Sequence, residues 1–236
     1  MEIDKFLVTQ VSPKVFYIPD FVSEAEEKLL LEKVYDAPKP KWTQLSGRRL
    51  QNWGGLPHPK GMVQEAMPQW LTKYTDRVAS YDFFDGRLPN HVLVNEYTAG
   101  QGIMPHVDGP LFHPAITTIS LGSQTLLDFY RPITDTICGE SDRICGNQET
   151  ESGFESRYIM SILLHPRSLV IFKDDMYKVY LHGIKESTTD TITTSVINPD
   201  PRKQLGIGET LQRGTRVSLT IRNVPKVLRL KLGLQK

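Results

Sequence analysis

From His91 onward the chain reads as a succession of short β-strands. Between His91 and Arg222, runs rich in β-branched and aromatic residues are separated by turn residues, with no helical period between them. Because parallel sheets need helical crossovers, this pattern predicts an antiparallel jelly roll. The eight predicted strands lie near residues 91–97, 103–107, 115–121, 125–130, 157–164, 167–172, 177–182 and 215–222.

Residues 1–90 follow a different pattern. Val15–Ile18 predicts a short strand, and Ser23 with Glu26 forms the capping box of a helix. Helical spacing returns in residues 69–83, whereas residues 41–61 show no clear period and predict an exposed, irregular loop. The predicted fold class is therefore mainly β (α+β), with N-terminal helices beside the jelly roll.

Bulk properties narrow the class of protein. At 236 residues the chain is long enough for one sizeable core, so we expect residues 1–236 to form a single domain. Apolar residues make up 39% of the chain and charged residues 23%, and no apolar run approaches the roughly 18 residues of a membrane helix. The N-terminal residues look like neither a secretory signal nor a transit peptide. We expect an intracellular monomer that binds no membrane.

One pair of polar residues suggests a metal site. His106 and Asp108 are two residues apart near the end of a predicted strand, where side chains at i and i+2 point to the same face. Such a pair occurs often by chance, and a surface strand end would explain it equally well. Four other histidines have no partner at ligand spacing: His58, His91, His113 and His165. We expect these four at the surface or in loops.

His182 strengthens the metal hypothesis. It closes another predicted strand, after the intervening strands that would bring it back beside His106 and Asp108. Two histidines and one carboxylate form a facial triad that leaves coordination positions open for a cosubstrate and O₂, as in Fe(II) oxygenases. Zinc could use the same three ligands, so the triad alone does not exclude a zinc hydrolase.

The predicted strand at residues 216–222 separates these alternatives. Arg216, Ser218, Thr220 and Arg222 alternate with three apolar residues, so one face is polar and the other apolar. An inward guanidinium beside a metal suits a dicarboxylate cosubstrate such as 2-oxoglutarate, because Arg binds carboxylates bidentately. The alternative is the solvated outer face of an edge strand.

Two further strand residues fit a cosubstrate pocket. Asn95 and Tyr97 share a face at the end of the first predicted strand of the jelly roll. An amide and a phenol at this spacing could hydrogen-bond the cosubstrate. For each residue alone, an ordinary strand-end role explains the sequence equally well.

A substrate surface is predicted between Lys39 and Gly55. The net charge of +1 gives no overall attraction to nucleic acid, so such binding must be local. In this segment Arg48 and Arg49 supply positive charge, and Trp53 offers a face on which a base could stack. The alternative is that the tryptophans anchor the core and the cations form a solvated rim.

These motifs together resemble a known family. In their order and spacing, Asn95-x-Tyr97, His106-x-Asp108, His182 and the strand from Arg216 to Arg222 are similar to the AlkB family of Fe(II)/2-oxoglutarate dioxygenases. Three further stretches extend the resemblance towards a eukaryotic branch of that family: Pro40–Arg48, Gln51–Pro59 and Thr118–Ser123.

The resemblance implies an architecture and residue roles. It implies a double-stranded β-helix core in residues 91–236, and N-terminal helices with a substrate-recognition lid in residues 1–90. Arg216 and Tyr97 would bind the distal carboxylate of 2-oxoglutarate, while Asn95 and Arg222 would approach the end that chelates Fe(II). Where the family pattern usually has Asn, this chain has Ser218, a shorter side chain that brings fewer hydrogen-bonding groups to the pocket.

The resemblance also implies a reaction. Fe(II), 2-oxoglutarate and O₂ would support oxidative demethylation of an alkylated nucleic acid, with release of succinate, CO₂ and formaldehyde, in the cytoplasm and nucleus. Two alternatives stay open at this point. One is a 2-oxoglutarate oxygenase that acts on a protein or a small molecule, and the other is a non-catalytic jelly-roll binding module.

Overall fold

The structure is a computed structural model that describes residues 3–8, 14–132, 151–197 and 205–228. Four helices lie within these ranges: α1 Glu24–Tyr35, α2 Gln69–Ala79, α3 Glu151–Glu155 and α4 Asp175–Lys178. The strands of the same ranges are β1 Val15–Ile18, β2 Thr43–Gln44, β3 Arg49–Trp53, β4 Gly55–His58, β5 Gly61–Gln64, β6 His91–Tyr97, β7 Ile103–His106, β8 Ala115–Gly122, β9 Thr125–Tyr130, β10 Tyr158–Leu164, β11 Leu169–Lys173, β12 Leu181–Ile184, β13 Thr189–Thr191, β14 Thr210–Gln212, β15 Arg216–Arg222 and β16 Val227–Leu228. Both cysteines, Cys138 and Cys145, lie outside the described residues, with most of the acidic stretch from Pro132 to Ser156.

Two antiparallel sheets form the centre of the fold. The major sheet has the strand order β1-β11-β8-β15-β6-β3-β2, and the minor sheet has the order β10-β9-β12-β7. The sheets share one apolar cluster, to which strands of both contribute buried side chains that include Ile116, Phe129, Ile162 and Phe172. Two opposed antiparallel sheets with a common core are the jelly roll that the strand pattern predicted.

The helices α1 and α2 cover the other face of the major sheet. The alternation along β15 sends Val217, Leu219 and Ile221 into a second apolar cluster, where they join Leu30 of α1 and Leu71 of α2. The capping box of α1 is confirmed, since the Ser23 and Glu26 side chains each accept a hydrogen bond from the other's backbone amide. The polar face of β15 is therefore left to the space between the sheets.

The segment between residues 41 and 61 is not the irregular loop that its composition predicted. It forms β2, β3 and β4, and β3 extends the major sheet by pairing with β6. Local sequence misses this because all but one residue of β3 are half-buried, so the strand shows no clear apolar alternation. At Gly54, φ is +81° and a side chain would collide with the carbonyl of Asn90, so glycine permits close approach to the protein's own backbone.

The prediction of a strand at residues 177–182 is also wrong for the first residues of that range. A single helical turn, α4, occupies residues 175–178, and β12 begins only at Leu181. The chain turns at Asp174, whose φ is +56° and whose carbonyl accepts the amides of Tyr177 and Lys178. One isolated turn carries no recognisable period, so it cannot be read from local pattern.

Three histidines expected at the surface are instead buried: His91, His113 and His165. His91 is fully buried and bonds the side-chain oxygen of Asn52, which explains how its polar ring is accommodated.

Across the described ranges, the helices lack the length and apolar character needed to cross a membrane.

Candidate active site

A cavity of about 230 Å³ lies between the two sheets. Its apolar wall comes from the shared core, and its polar residues come mainly from β6, β7, β8, β12 and β15. They include every proposed metal and cosubstrate residue: Asn95, Tyr97, His106, Asp108, His182, Arg216, Ser218 and Arg222. The fold thus gathers around one cavity residues that are far apart in the sequence.

The two histidines and the aspartate meet at one end of the cavity. His106 on β7 and His182 on β12 are direct partners in the antiparallel register, and their ring centroids lie 4.5 Å apart. Asp108 follows β7, and one ligand atom from each of the three residues lies within 4.8 Å of the other two. The backbone pairing of β7 with β12 therefore brings the three side chains together.

The close approach of these strands depends on Gly183, next to His182. A Cβ atom at this position would lie 2.9 Å from both the carbonyl oxygen of Ile103 and the nitrogen of Pro105 on β7. Any side chain would push the strands apart, so only glycine fits here.

The unfilled hydrogen-bonding capacity of the triad fits a cation. Nδ1 of His182 is buried and has no hydrogen-bond partner within the described residues, and Oδ2 of Asp108 is held only by the Arg222 guanidinium. Nδ1 of His106 lies 2.9 Å from the carbonyl oxygen of Met104, which can only accept, so the proton resides on Nδ1. Nε2 of His106 then carries the free lone pair, as metal binding requires.

Electrostatics keep the triad in its ligand form. Burial raises the pKa of Asp108, but the charged neighbours, of which the Arg222 guanidinium is the strongest, together outweigh it and hold the pKa well below its usual range. Burial, reinforced by His106, lowers the pKa of His182 to about 3. At neutral pH the carboxylate is ionised and the His182 imidazole is neutral, which are the forms that bind metals.

Arg222 lies at the metal end of the cavity. Its Nη2 lies 2.6 Å from Oδ2 of Asp108, so the two side chains form an ion pair, although the angles are not those of a hydrogen bond. The guanidinium also lies over the ring of Phe112, 4.4 Å from the ring centroid. The family resemblance implied that Arg222 approaches the chelating end of the cosubstrate. In the structure it contacts the carboxylate of the triad directly.

The other end of the cavity is formed around Arg216. Arg216 is only 4% exposed. Its guanidinium donates a hydrogen bond to Ser120 Oγ at 2.9 Å and has no carboxylate partner among the described residues. Burial lowers its pKa to about 10, which still leaves it charged at neutral pH. Tyr97 lies beside it, with 5.7 Å from the guanidinium carbon to the ring centroid. A buried cation without an anion is suited to a carboxylate ligand.

Sequence reasoning missed two hydroxyl groups on β8, that of Thr118 in the cavity wall and that of Ser120 behind it. Ser120 binds Arg216, and the hydroxyls of Thr118 and Thr220 lie 3.2 Å apart in the cavity wall. Thr118 and Ser120 alternate along β8 like the polar residues of β15, and this spacing was the available signal. Their roles depend on the pairing of β8 with β15, which local sequence does not reveal.

The three predicted substrate residues have different environments. Arg48 lines the cavity, donates to Asn95 Oδ1 at 3.1 Å and pairs with no carboxylate among the described residues. Arg49 instead makes two bonds to Glu96, of 2.6 and 2.9 Å. Trp53 packs edge-on against Trp70 in the helix-side cluster. The structure brings only Arg48 to the cavity.

Comparison with known proteins is consistent with this geometry. A family model of the 2OG-Fe(II) oxygenase superfamily matches residues 41–222. The chain is 55% identical to the zebrafish (Danio rerio) protein named "Probable RNA/DNA demethylase ALKBH6", with 100% of this chain and 96% of the relative covered. It is 29% identical to the uncharacterized protein L905 of Acanthamoeba polyphaga mimivirus, over 89% of this chain and 84% of the relative.

Solved structures share the fold at low sequence identity. The structure of OsALKBH1 matches with a TM-score of 0.54 and 13% identity, covering 90% of this chain and 99% of that one. An oxidoreductase of the 2OG-Fe(II) oxygenase family from Burkholderia pseudomallei matches with a TM-score of 0.53 and 7% identity, over 94% and 90% of the two chains. The chain belongs to the 2OG-Fe(II) oxygenase superfamily, among its AlkB homologues, and is an oxidoreductase that uses Fe(II), 2-oxoglutarate and O₂.

Proposed function

We propose that this protein oxidatively demethylates an alkylated nucleic acid and releases succinate, CO₂ and formaldehyde. One observation carries the proposal: a metal-binding triad and a buried, anion-free Arg216 face the same cavity. A metal at one end and a cation at the other suit a cosubstrate with a chelating 2-oxo acid and a distal carboxylate.

We assign the metal site to His106, Asp108 and His182. Fe(II) bound there would supply the activation of O₂, coupled to oxidative decarboxylation of 2-oxoglutarate, that oxidises the substrate. Arg222 holds the Asp108 carboxylate in place and keeps it ionised. The neutral His106 and His182 rings present lone pairs to the cation.

We assign the cosubstrate site to the opposite end. Arg216 binds the distal carboxylate, and Tyr97 closes the pocket beside it. Asn95 and Ser218 face each other across β6 and β15 in the same cavity, between the two ends. The apolar walls formed by residues such as Ile116 and Phe172 exclude water from the reacting groups.

The substrate end of the proposal depends on Arg48. Its guanidinium reaches the cavity without a carboxylate partner among the residues described, so it can bind an anionic group of the substrate, such as a backbone phosphate. Arg48 lies in the turn between β2 and β3, within the proposed lid of residues 1–90. A base drawn out of its stack would enter the cavity past Arg48.

The zebrafish relative, by its name a probable RNA/DNA demethylase, supports nucleic acid over a protein or small-molecule substrate. The rival oxygenase activities use the same metal and cosubstrate residues and differ only in what enters the cavity. A non-catalytic binding module would have no need of a triad and a buried cation around one cavity.

The test is mass spectrometry of methylated oligonucleotides and cellular RNA before and after incubation with the protein, Fe(II), ascorbate and 2-oxoglutarate. We expect loss of methyl groups, with formaldehyde and succinate formed in proportion. Succinate without loss of any methylated nucleoside would refute the substrate assignment and favour a protein or small molecule. The His106→Ala protein is the control, because any loss of methyl groups that it shows does not depend on catalysis at the proposed metal site. The monomeric state and the cytoplasmic and nuclear location stay predictions.

A further inference from the structure

We propose that Ser120 positions the Arg216 guanidinium for the distal carboxylate of 2-oxoglutarate. This inference rests on the proposed function, because it assumes that Arg216 binds that carboxylate. Ser120 would act through Arg216 and set the affinity for a dicarboxylate, without contact with the reacting atoms.

The contact itself is buried and specific. Ser120 on β8 is fully buried, and its Oγ accepts a hydrogen bond of 2.9 Å from Nη2 of Arg216, which is only 4% exposed. Nε of Arg216 has no partner within the described residues, so it remains available to a ligand. Fixing one nitrogen of a planar guanidinium fixes the direction of all its donors.

Strand register explains why Ser120 takes this role. On β8, the partner of Arg216 is Gly122, which has no side chain, and the partner of Ser218 is Ser120. The guanidinium therefore finds no side chain directly across from it and reaches along the sheet to Ser120.

The hydrogen bond from Arg216 to Ser120 matters for binding because it orders the guanidinium. A free Arg side chain populates many rotamers, and a ligand that binds it must restrict that freedom at a cost in entropy. Tyr97 contributes only a ring face at 5.7 Å, and within the described residues the guanidinium makes one hydrogen bond, to Ser120. Ser120 thus supplies the ordering before the cosubstrate arrives.

The experiment compares two ligands on the Mn(II)-loaded protein by titration calorimetry. 2-Oxoglutarate has the distal carboxylate, whereas 2-oxopentanoate has the same chain length and chelating group but lacks it. We expect Ser120→Ala to weaken 2-oxoglutarate by about five- to tenfold, as for one hydrogen bond to a charged group, and to leave 2-oxopentanoate unchanged. Ser120→Cys keeps a side chain of similar shape with a weak acceptor and should behave as the alanine variant does.

Ser168→Ala is the matched control. Ser168 is also fully buried and donates to a backbone carbonyl, that of His165 at 2.6 Å, but it makes no hydrogen bond to Arg216 within the described residues. We expect this variant to bind both ligands as the wild type does, even if both serine variants lose similar stability. Should Ser120→Ala fail to fold, Ser120→Cys decides the question.

The outcomes separate the two levels of the proposal. If Arg216→Ala weakens 2-oxoglutarate but both Ser120 variants bind it normally, the positioning role is wrong and the proposed function stands. An equal loss for 2-oxoglutarate and 2-oxopentanoate in the Ser120 variants would also overturn it, since that indicates general damage to the pocket. If Arg216→Ala itself binds 2-oxoglutarate normally, the cosubstrate assignment of the proposed function fails.

Discussion

At the scale of single residues, the site combines one ionised carboxylate, two neutral imidazoles and two buried guanidiniums. Arg222 is neutralised by Asp108, whereas Arg216 forms no ion pair among the described residues. A metal cation adds to this positive charge. The cavity therefore favours a dianion, because each carboxylate removes one uncompensated charge.

Substitution of the triad tests the metal assignment. We expect His106→Ala, Asp108→Ala and His182→Ala each to abolish conversion of 2-oxoglutarate to succinate, because each removes a metal ligand. His106 has a side chain that is 36% exposed, so His106→Ala should change the free energy of unfolding least. Asp108→Ala leaves Arg222 buried without its anion and should cost roughly 1–3 kcal/mol of stability in addition. Iron content and succinate are the measurements, and normal values of both in any variant would contradict the assignment.

Ser218 gives a second test at this scale. We expect Ser218→Asn to be tolerated and to alter the apparent affinity for 2-oxoglutarate by about tenfold or less, which corresponds to one hydrogen bond of ~1 kcal/mol. Arg216→Ala removes a buried charge that would pair with a carboxylate, and should weaken binding by more than about 100-fold. Titration of 2-oxoglutarate into both variants measures the difference. Equal effects would show that the two roles are wrongly assigned.

At the scale of elements, β3 extends the major sheet, and Arg48 in the turn just before it lines the cavity. Arg48 and Arg49 are adjacent in the chain but have different roles, because their side chains bond different partners. Arg49 bonds Glu96 on β6 and lies over the ring of Trp42 at 4.1 Å. Burial raises the pKa of Glu96, but the hydrogen bond from Arg49 outweighs it and holds that pKa low.

This division predicts a separation of binding from stability. Arg48→Ala should weaken oligonucleotide binding and lower the salt slope by about one ion, with little change in stability. Arg49→Ala should leave binding nearly unchanged but lower the free energy of unfolding by about 1–2 kcal/mol, since Glu96 is left buried and unpaired while Arg49 itself is partly screened by solvent. Binding titrations against salt and urea unfolding measure the two effects. Loss of binding in Arg49→Ala alone would reverse the assignment.

The β7–β12 pair predicts the effect of a single methyl group. Gly183→Ala places Cβ 2.9 Å from two backbone atoms of β7, so the strands must separate. We expect lower stability by roughly 1–3 kcal/mol and a loss of iron affinity, because His182 moves away from His106. Gly109→Ala is the control, since a Cβ there meets no atom within 4 Å among the described residues. Normal iron binding by Gly183→Ala would show that the strands can adjust without moving the ligands.

Several elements and the candidate metal pair His106 and Asp108 could be proposed from sequence for a common reason. β6, β8 and β15 have a chemical pattern that repeats along the strand, and His106 with Asp108 lies at strand spacing. By contrast, α4 is one turn long and lacks a period. The bond between Ser120 and Arg216 arises from pairing between strands distant in sequence. Features that depend on such pairing cannot be read from a local window.

At the scale of the whole molecule, the site joins the two sheets. His106 and His182 belong to the minor sheet, whereas Arg216 and Arg222 belong to the major sheet. A ligand that binds both sets of residues links the sheets and stabilises the folded state relative to the unfolded chain.

Thermal unfolding therefore reports on occupancy of the site. We expect Mn(II) with 2-oxoglutarate at about 100 times its Kd to stabilise the wild type by about 2.7 kcal/mol beyond Mn(II) alone. Arg216→Ala should keep the increment from the metal and lose most of that from 2-oxoglutarate at the same concentration. His106→Ala should lose both, and a wild-type response in that variant would contradict the shared site. Differential scanning calorimetry provides the measurement.

The alternation of β15 has a consequence for how this protein can vary. Its apolar residues pack against the helices and its polar residues line the cavity, so the same seven residues are needed by core and site together. Inserting one residue in this strand would exchange the two faces beyond the insertion, bury guanidiniums among apolar side chains and expose aliphatic ones to the cavity. An insertion of two residues keeps each face but shifts every later residue along the sheet by about 7 Å. Length changes are therefore incompatible with this strand, and evolutionary variation in it is confined to exchanging side chains at fixed positions.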